Sequence, residues 1–358
     1  MKTSRDTLVI RVDAGQTAGL GHMTRCTALA QAWSARGGHV VFATAGAPDA
    51  VVGELELQGF VVDRLPDDPG SARFEERLTP FSGAWVVLDG YAFSADQTRL
   101  RQAGHPVLAI DDLAQLDRYD VDVILNQNVH AGDLQYPTAP ETKVLLGTRY
   151  ALLRREFIAH GPKATLRPGR ARRILVTLGG SDRFNQTAKV LNGLSLLSEP
   201  FEATVVVGAA NTHAKTLTEE AKRQGDRVRI LKNPTNMPEL MAWADIAVAA
   251  AGSTSWELAF MGLPTLAMTL SDNQRPVAVK LDAIGVSRSL GWRDDVTAAT
   301  IAKAVNALLD DEAARHAMSS RGRELVDGRG ADRVVDVMHS VRPPAQAQTT
   351  WTEQREAR

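Results

Sequence analysis

The chain has one cysteine, Cys26, in 358 residues. No disulfide can close within it, and a reducing cytoplasm is the expected setting. Neither a C-x-x-C nor an H-x-x-x-H pair occurs, so no metal site is expected. Neither sign of charge is in excess: 41 Lys and Arg face 42 Asp and Glu, for a formal net charge of −1. Aromatic residues make up only 5% and do not interleave with basic ones in a stripe. Nucleic acid is therefore not an expected partner. No apolar run reaches about 18 residues, so no membrane span is expected. The first residues lack the roughly 7–15-residue apolar core of a secretory signal, and none is expected.

What is present is an alternation of strand and helix. Hydrophobic residues are 44% of the chain and charged residues 23%, the balance of a soluble, enzyme-like protein. Apolar runs at residues 8–12, 40–44, 60–63, 85–88, 107–110, 121–125 and 143–146 read as strands. Met23, Cys26, Leu29, Ala30 and Trp33 recur at helical spacing between the first two, and Cys26 falls on their apolar face as an inert core thiol. Helices are expected over 49–58 and 94–103. A polar stretch at 161–173, with Pro and Gly, reads as a linker. The rhythm then restarts, with strands at 174–178, 201–207, 228–231, 246–251 and 264–270. Helices are expected at 185–197, 255–261, 273–284, 301–309, 312–325 and 331–341. Residues 343–358 read as a disordered tail. Such alternation implies an α/β protein of two Rossmann-like domains, residues 1–160 and 174–342, with parallel sheets facing a cleft. Ligands of such sheets lie beyond the strands' carboxyl ends. Asp13, Asp89, Asp111, Asn126, Asn128, Ser181 and Asp182 all sit there, although Asp and Asn are also ordinary turn formers.

Two turns carry the most chemistry. Gly252-Ser253-Thr254 joins a buried strand to a helix that Gly262 ends ahead of Pro264. Such a turn presents unpaired N–H groups and a positive dipole end, a seat for phosphate, with Glu257 placed to accept from ribose hydroxyls. The plainer reading is that Ser253 caps the helix and Glu257 favours its dipole. The second turn is Gly19-Leu20-Gly21-His22. It fails the dinucleotide fingerprint because Thr24 stands at the next glycine position, and it fails the P-loop because the lysine is missing. No cofactor is therefore expected. His22 opens a helix whose dipole favours the neutral imidazole, which suits a general base. The alternative is a histidine that merely borders the helix. Asp120-Val121-Asp122 has a metal-binding D-x-D spacing but leads into a strand, where alternating polar residues need no metal.

In order along the chain, these residues resemble a known pattern. Arg11-Val-Asp-Ala14, Gly19-Leu-Gly-His22, Arg25-Cys26, Asp89-Gly-Tyr91, Ile110-Asp-Asp112 and Leu125-Asn-Gln-Asn128 carry its first half. Leu146-Gly-Thr-Arg-Tyr150, Leu153-Arg154, Leu178-Gly-Gly-Ser-Asp182, Ala251-Gly-Ser-Thr-Ser-Trp-Glu257, Gly262-Leu-Pro264 and Asn273-Gln274 carry the rest. The pattern is similar to that of the hydrolases of pseudaminic acid biosynthesis, which remove UDP from UDP-2,4-diacetamido-2,4,6-trideoxy-β-L-altropyranose. Spore-coat polysaccharide proteins share it. The resemblance implies a GT-B fold and a UDP-sugar substrate; a monomer is expected. It implies that Gly180, Ser181, Gly252, Ser253 and Thr254 line the diphosphate, with Gly19 and Gly21 opposite, and that Glu257 holds the ribose. His22 matches the catalytic histidine that activates water. Tyr91 and Asn273 match positions that contact the sugar or aid catalysis, and Asp13, Asn126, Asn128 and Gln274 fall among the substrate contacts. Gly90 departs from the pattern, which often has His there. An inverting glycosyltransferase using the same residues and a non-catalytic nucleotide-sugar binder are the alternatives.

Overall fold

The computed structural model describes residues 6–14, 20–66, 74–90, 93, 96–162 and 167–341. The first half runs β1 (Thr7–Val12), α1 (Gly21–Ser34), β2 (His39–Thr44), α2 (Asp49–Leu57), β3 (Val61–Arg64), α3 (Phe74–Arg77), β4 (Trp85–Asp89), α4 (Asp96–Gln102), β5 (Val107–Ile110), β6 (Val123–Asn126), β7 (Lys143–Leu146) and α5 (Arg155–His160). The second half runs β8 (Arg173–Thr177), α6 (Gln186–Ser195), β9 (Glu202–Val207), α7 (Ala214–Lys222), β10 (Val228–Lys232), α8 (Met237–Trp243), β11 (Ile246–Ala250), α9 (Thr254–Met261), β12 (Thr265–Thr269), α10 (Arg275–Ala283), β13 (Ser287–Trp292), α11 (Ala298–Asp310), α12 (Glu312–Leu325) and α13 (Gly330–Ser340).

These strands form two sheets, of order β3-β2-β1-β4-β5-β6-β7 and β10-β9-β8-β11-β12-β13, with every paired strand parallel. The central strands are buried along their whole length, as their unbroken apolar runs require when helices cover both faces. Strand order reverses between β1 and β4 in the first sheet and between β8 and β11 in the second. At such a switch point adjacent connections leave on opposite faces and open a crevice at the carboxyl ends.

Three elements had no clear signal in the sequence, among them α3, a single turn of four residues. β13 is an edge strand carrying Arg288, Ser289 and Gly291, and a register shift opposite Ala267 and Met268 breaks its alternation. α8 is short and carries Pro238 in its first turn. In the other direction, the helix expected from residue 301 begins at Ala298, because Thr297 and Thr300 form a capping box.

The chain does not end in the second half's packing. α13 crosses back, and Ala331, Val334, Val335 and Met338 join Cys26, Leu29, Ala30 and Trp33 of α1 in the first sheet's core. Gly330 permits this crossing. A Cβ there would stand 2.1 Å from the Ala151 carbonyl oxygen. Gly330→Ala is accordingly expected to cost about 1–3 kcal/mol through overpacking. Urea denaturation reads it, and an unchanged stability would show that α13 is not seated so closely.

Candidate active site

The two switch points face each other. α1 follows β1, and α9 follows β11 through Gly252 and Ser253. A Cβ on Gly21, the first residue of α1, would lie 3.1 Å from Ser253 Oγ, so the two helix starts nearly touch. Neither start carries a side-chain cap. Each is an end of positive partial charge, and together they make a seat for an anion. Beside them Leu20 rests on the backbone of Gly180, where a Cβ would come within 2.5 Å of Leu20 Cδ1.

α6 is different. The Asp182 carboxylate accepts from Gln186 N at 2.9 Å and Thr187 N at 2.8 Å, so that helix start already holds an anion of the chain's own. Burial pushes the Asp182 carboxyl up, and these hydrogen bonds oppose it. Gly180, with Ser181 next to it in the chain, thus borders the seam under Leu20, while the start of α9 is the open one.

His22 is the second residue of α1. Its Nδ1 lies 2.6 Å from Oδ1 of Asp89, the last residue of β4. Arg25, one turn further along α1, donates to Asp89 from Nε at 2.8 Å and from Nη2 at 2.7 Å. Its Nη1 reaches both oxygens of Asp112 at 2.9 Å. Asn128 Nδ2 holds Asp112 Oδ1 at 2.6 Å, and Cys26 Sγ donates to Asp89 Oδ2 at 3.3 Å. Burial alone would push the Asp89 carboxyl up. The charges of Arg25 and His22 and their hydrogen bonds outweigh it and hold Asp89 well below the usual carboxylate range. An ionised Asp89 assigns the proton to His22 Nδ1 and leaves Nε2 as the acceptor. Arg25 Nη2 also lies 3.1 Å from Nδ1, but its shorter bond is to Asp89. Burial pushes the Cys26 thiol well up, with Asp89 adding to it, so Cys26 is a packed donor and not a nucleophile.

In the second half, Glu257 is buried in the first turns of α9. Arg154, just ahead of α5, donates to its Oε1 from Nη2 at 3.0 Å and from Nε at 3.3 Å. Burial pushes the Glu257 carboxyl up against the pull of Arg154. Both bonds use the same oxygen, which leaves Oε2 for another donor. Gln274 Oε1 accepts from Leu270 N at 2.9 Å, and its Nε2 is 3.4 Å from where a Cβ on Gly252 would stand. The Gln274 amide therefore points its donors at the α9 turn. Asn273 Oδ1 accepts from Ser271 Oγ at 2.6 Å in the same loop.

Other expected contacts have work inside the domains. Asn126 is fully buried, its Nδ2 on Tyr136 Oη and its Oδ1 on Asn128 N. Asp13 is held by Arg11 and accepts from Ala45 N at 2.9 Å. Asp120 accepts from Arg101 at 2.6 Å and Asp122 from Val107 N at 2.8 Å, so both brace the segment between β5 and β6 against α4 and β5. Among the described residues, no three of His, Cys, Asp and Glu are grouped to hold a metal ion. Nor is any helix there long and apolar enough to cross a membrane. Gly19 and Tyr91 lie outside the described residues. At Gly90, the Phe93 ring fills the space of a side chain, with Cε2 2.6 Å from a would-be Cβ.

Comparison with known proteins now bears on this geometry. Residues 173–332 match the glycosyltransferase family 28 C-terminal domain. The structure of MurG from Acinetobacter baumannii superposes with a TM-score of 0.64 at 16% identity, covering 94% of this chain and all of that one. The fold is GT-B. Among curated proteins, this GT-B chain is 26% identical to the spore coat polysaccharide biosynthesis protein SpsG of Bacillus subtilis over 202 residues, 56% of this chain and 59% of that protein. It is 23% identical to the UDP-2,4-diacetamido-2,4,6-trideoxy-beta-L-altropyranose hydrolase of Campylobacter jejuni over 286 residues, 76% of this chain and 95% of that one. Over the first three curated relatives it spans only 46–59% of their length. These likenesses show a glycosyltransferase-like fold.

Sequence reading singled out His22 in this GT-B cleft but not the partners Asp89, Arg25 and Asp112 as a unit, nor Arg154. One signal was available: Arg25 is a charged residue set among the buried positions of α1. A buried arginine demands carboxylates, and the strand ends supply them. Asp89→Asn removes one of its two counter-charges and is expected to cost on the order of 3 kcal/mol. Because its folded pKa is depressed, Asp89 contributes that stability above about pH 4, the unfolded carboxylate range, and the contribution drains as pH falls below it. Urea melts across pH compare the two proteins. A gap that does not close in acid would contradict a charge origin.

Proposed function

We propose that this chain hydrolyses a UDP-linked diacetamido or deoxyamino sugar, with water attacking the anomeric carbon and the configuration inverting. The observation that carries the reading is the His22–Asp89 pair at the start of α1, placed against the open start of α9. The substrate class follows the resemblance to the Campylobacter jejuni hydrolase.

In this mechanism the diphosphate lies between the two helix starts, and Glu257 Oε2 accepts from the ribose. Water sits on the opposite face of the sugar. His22 Nε2 takes a proton from it as its oxygen bonds to the anomeric carbon, while Asp89 holds Nδ1–H and stabilises the imidazolium that forms. The carbon–oxygen bond to UDP breaks, and its electron pair leaves on the β-phosphate oxygen. Fixed helix dipoles and backbone N–H groups stabilise that charge without reorganising. UDP and the free sugar are the products, and the imidazolium returns its proton to solvent.

A second reading has support of its own. The family 28 domain and the MurG superposition are glycosyltransferase features. There, an acceptor hydroxyl replaces water, and His22 takes its proton.

One set of reactions separates these. With UDP-sugar alone in ¹⁸O-labelled water, hydrolysis puts the label on the sugar's anomeric hydroxyl. His22→Asn should lower the rate by about 10²–10⁴-fold, the usual worth of a general base, with UDP affinity little changed. UDP release only in the presence of an acceptor would establish the transferase instead. Label on the UDP phosphate would mean attack at phosphorus, and His22 would not be the base toward the anomeric carbon.

A further inference from the structure

Arg25 poses a problem for a base at His22. Its guanidinium nitrogen lies 3.1 Å from His22 Nδ1, and a cation at that distance opposes proton uptake by the ring. Asp89 holds the ring at 2.6 Å but shares both its oxygens with Arg25, so part of its charge is spent on that cation. Asp112 is the second carboxylate of the cluster. It lies beyond β5, 8% exposed, and receives Arg25 Nη1 on both oxygens. Asn128, beyond β6, fixes its orientation at 2.6 Å. Among the described residues facing this cluster are the Cys26 thiol, which donates to Asp89, His130 and Tyr136, which lie by Asp112, and the starts of α1 and α9, whose positive ends work against an imidazolium.

We propose that Asp112 is a positioning residue that turns Arg25 onto Asp89 and offsets its positive charge, which would otherwise oppose proton uptake at His22. Catalysis by His22 thus depends on a carboxylate that does not touch it. The inference rests on His22 being the base, and the test separates the two claims. Asp112→Asn leaves Arg25 with Asp89 as its one carboxylate partner among those described. ¹⁵N NMR of the His22 ring in the unliganded protein should then show a titration midpoint lower by about one pH unit, the lower end of a neighbouring charge's effect. The acid limb of the pH–rate profile should move the same way. The double variant Arg25→Gln/Asp112→Asn also removes the nearer cation and should titrate no lower than wild type, and Asp112→Glu should titrate as wild type. An unmoved midpoint in Asp112→Asn, or a fall that persists in the double variant, overturns the proposal. Should Asp112→Asn not fold, a lowered midpoint in either of the other two variants overturns it equally. Midpoints that move as stated in a protein that never cleaves a UDP-sugar would leave this inference standing and remove the activity.

Discussion

The site depends on a buried carboxylate, Asp89, held ionised at the end of β4 by Arg25 and His22. Isolated, such a charge would be expelled or neutralised. Paired as it is, it fixes the tautomer of His22, orients the ring and ties α1 to the central strand. The expense of burying it explains why Arg25, Asp112 and Asn128 follow in a chain: each buried polar group needs the next. One consequence is rigidity where a base must stand still. The other is that charge set deep in the domain governs chemistry at its surface.

The second constraint is close approach between the halves. Gly21 lies against Ser253, and Gly180 lies under Leu20. A β-carbon on Gly180 would press on Leu20, so glycine at this position serves the distance between backbones. Arg154 adds an ionic tie to Glu257, and Lys280 reaches Asp133 at 3.1 Å. The exposed Lys280 pair is worth little. The buried Arg154 pair carries more weight because breaking it strands a charge.

Much of the fold was legible from the chain alone. Runs such as residues 85–88 and 246–251 can only be buried strands, and Gly262 before Pro264 marks a helix end that the structure keeps, with Gly262 at φ +70°. β13 was not legible, because an edge strand with one wet side needs no apolar run. The candidate site was half legible. His22 stands out because a glycine turn precedes it, and Asp89 because it ends a strand. That the two meet depends on β1 and β4 being neighbours, which is a property of strand order and not of local sequence. Asn126 shows the converse: a polar residue at a strand end that the fold consumes as a brace. So does Asp182, which caps α6 and leaves the turn at Gly252 as the open helix start.

The central claim is that the starts of α1 and α9, and not that of α6, receive the diphosphate beside His22. A crystal structure with UDP tests it most directly. The account predicts the β-phosphate between Gly21 and Ser253, with oxygens about 3 Å from backbone nitrogens of the α9 turn and the ribose on Glu257. A diphosphate bound at the start of α6 in place of Asp182, or away from α1 altogether, would contradict it.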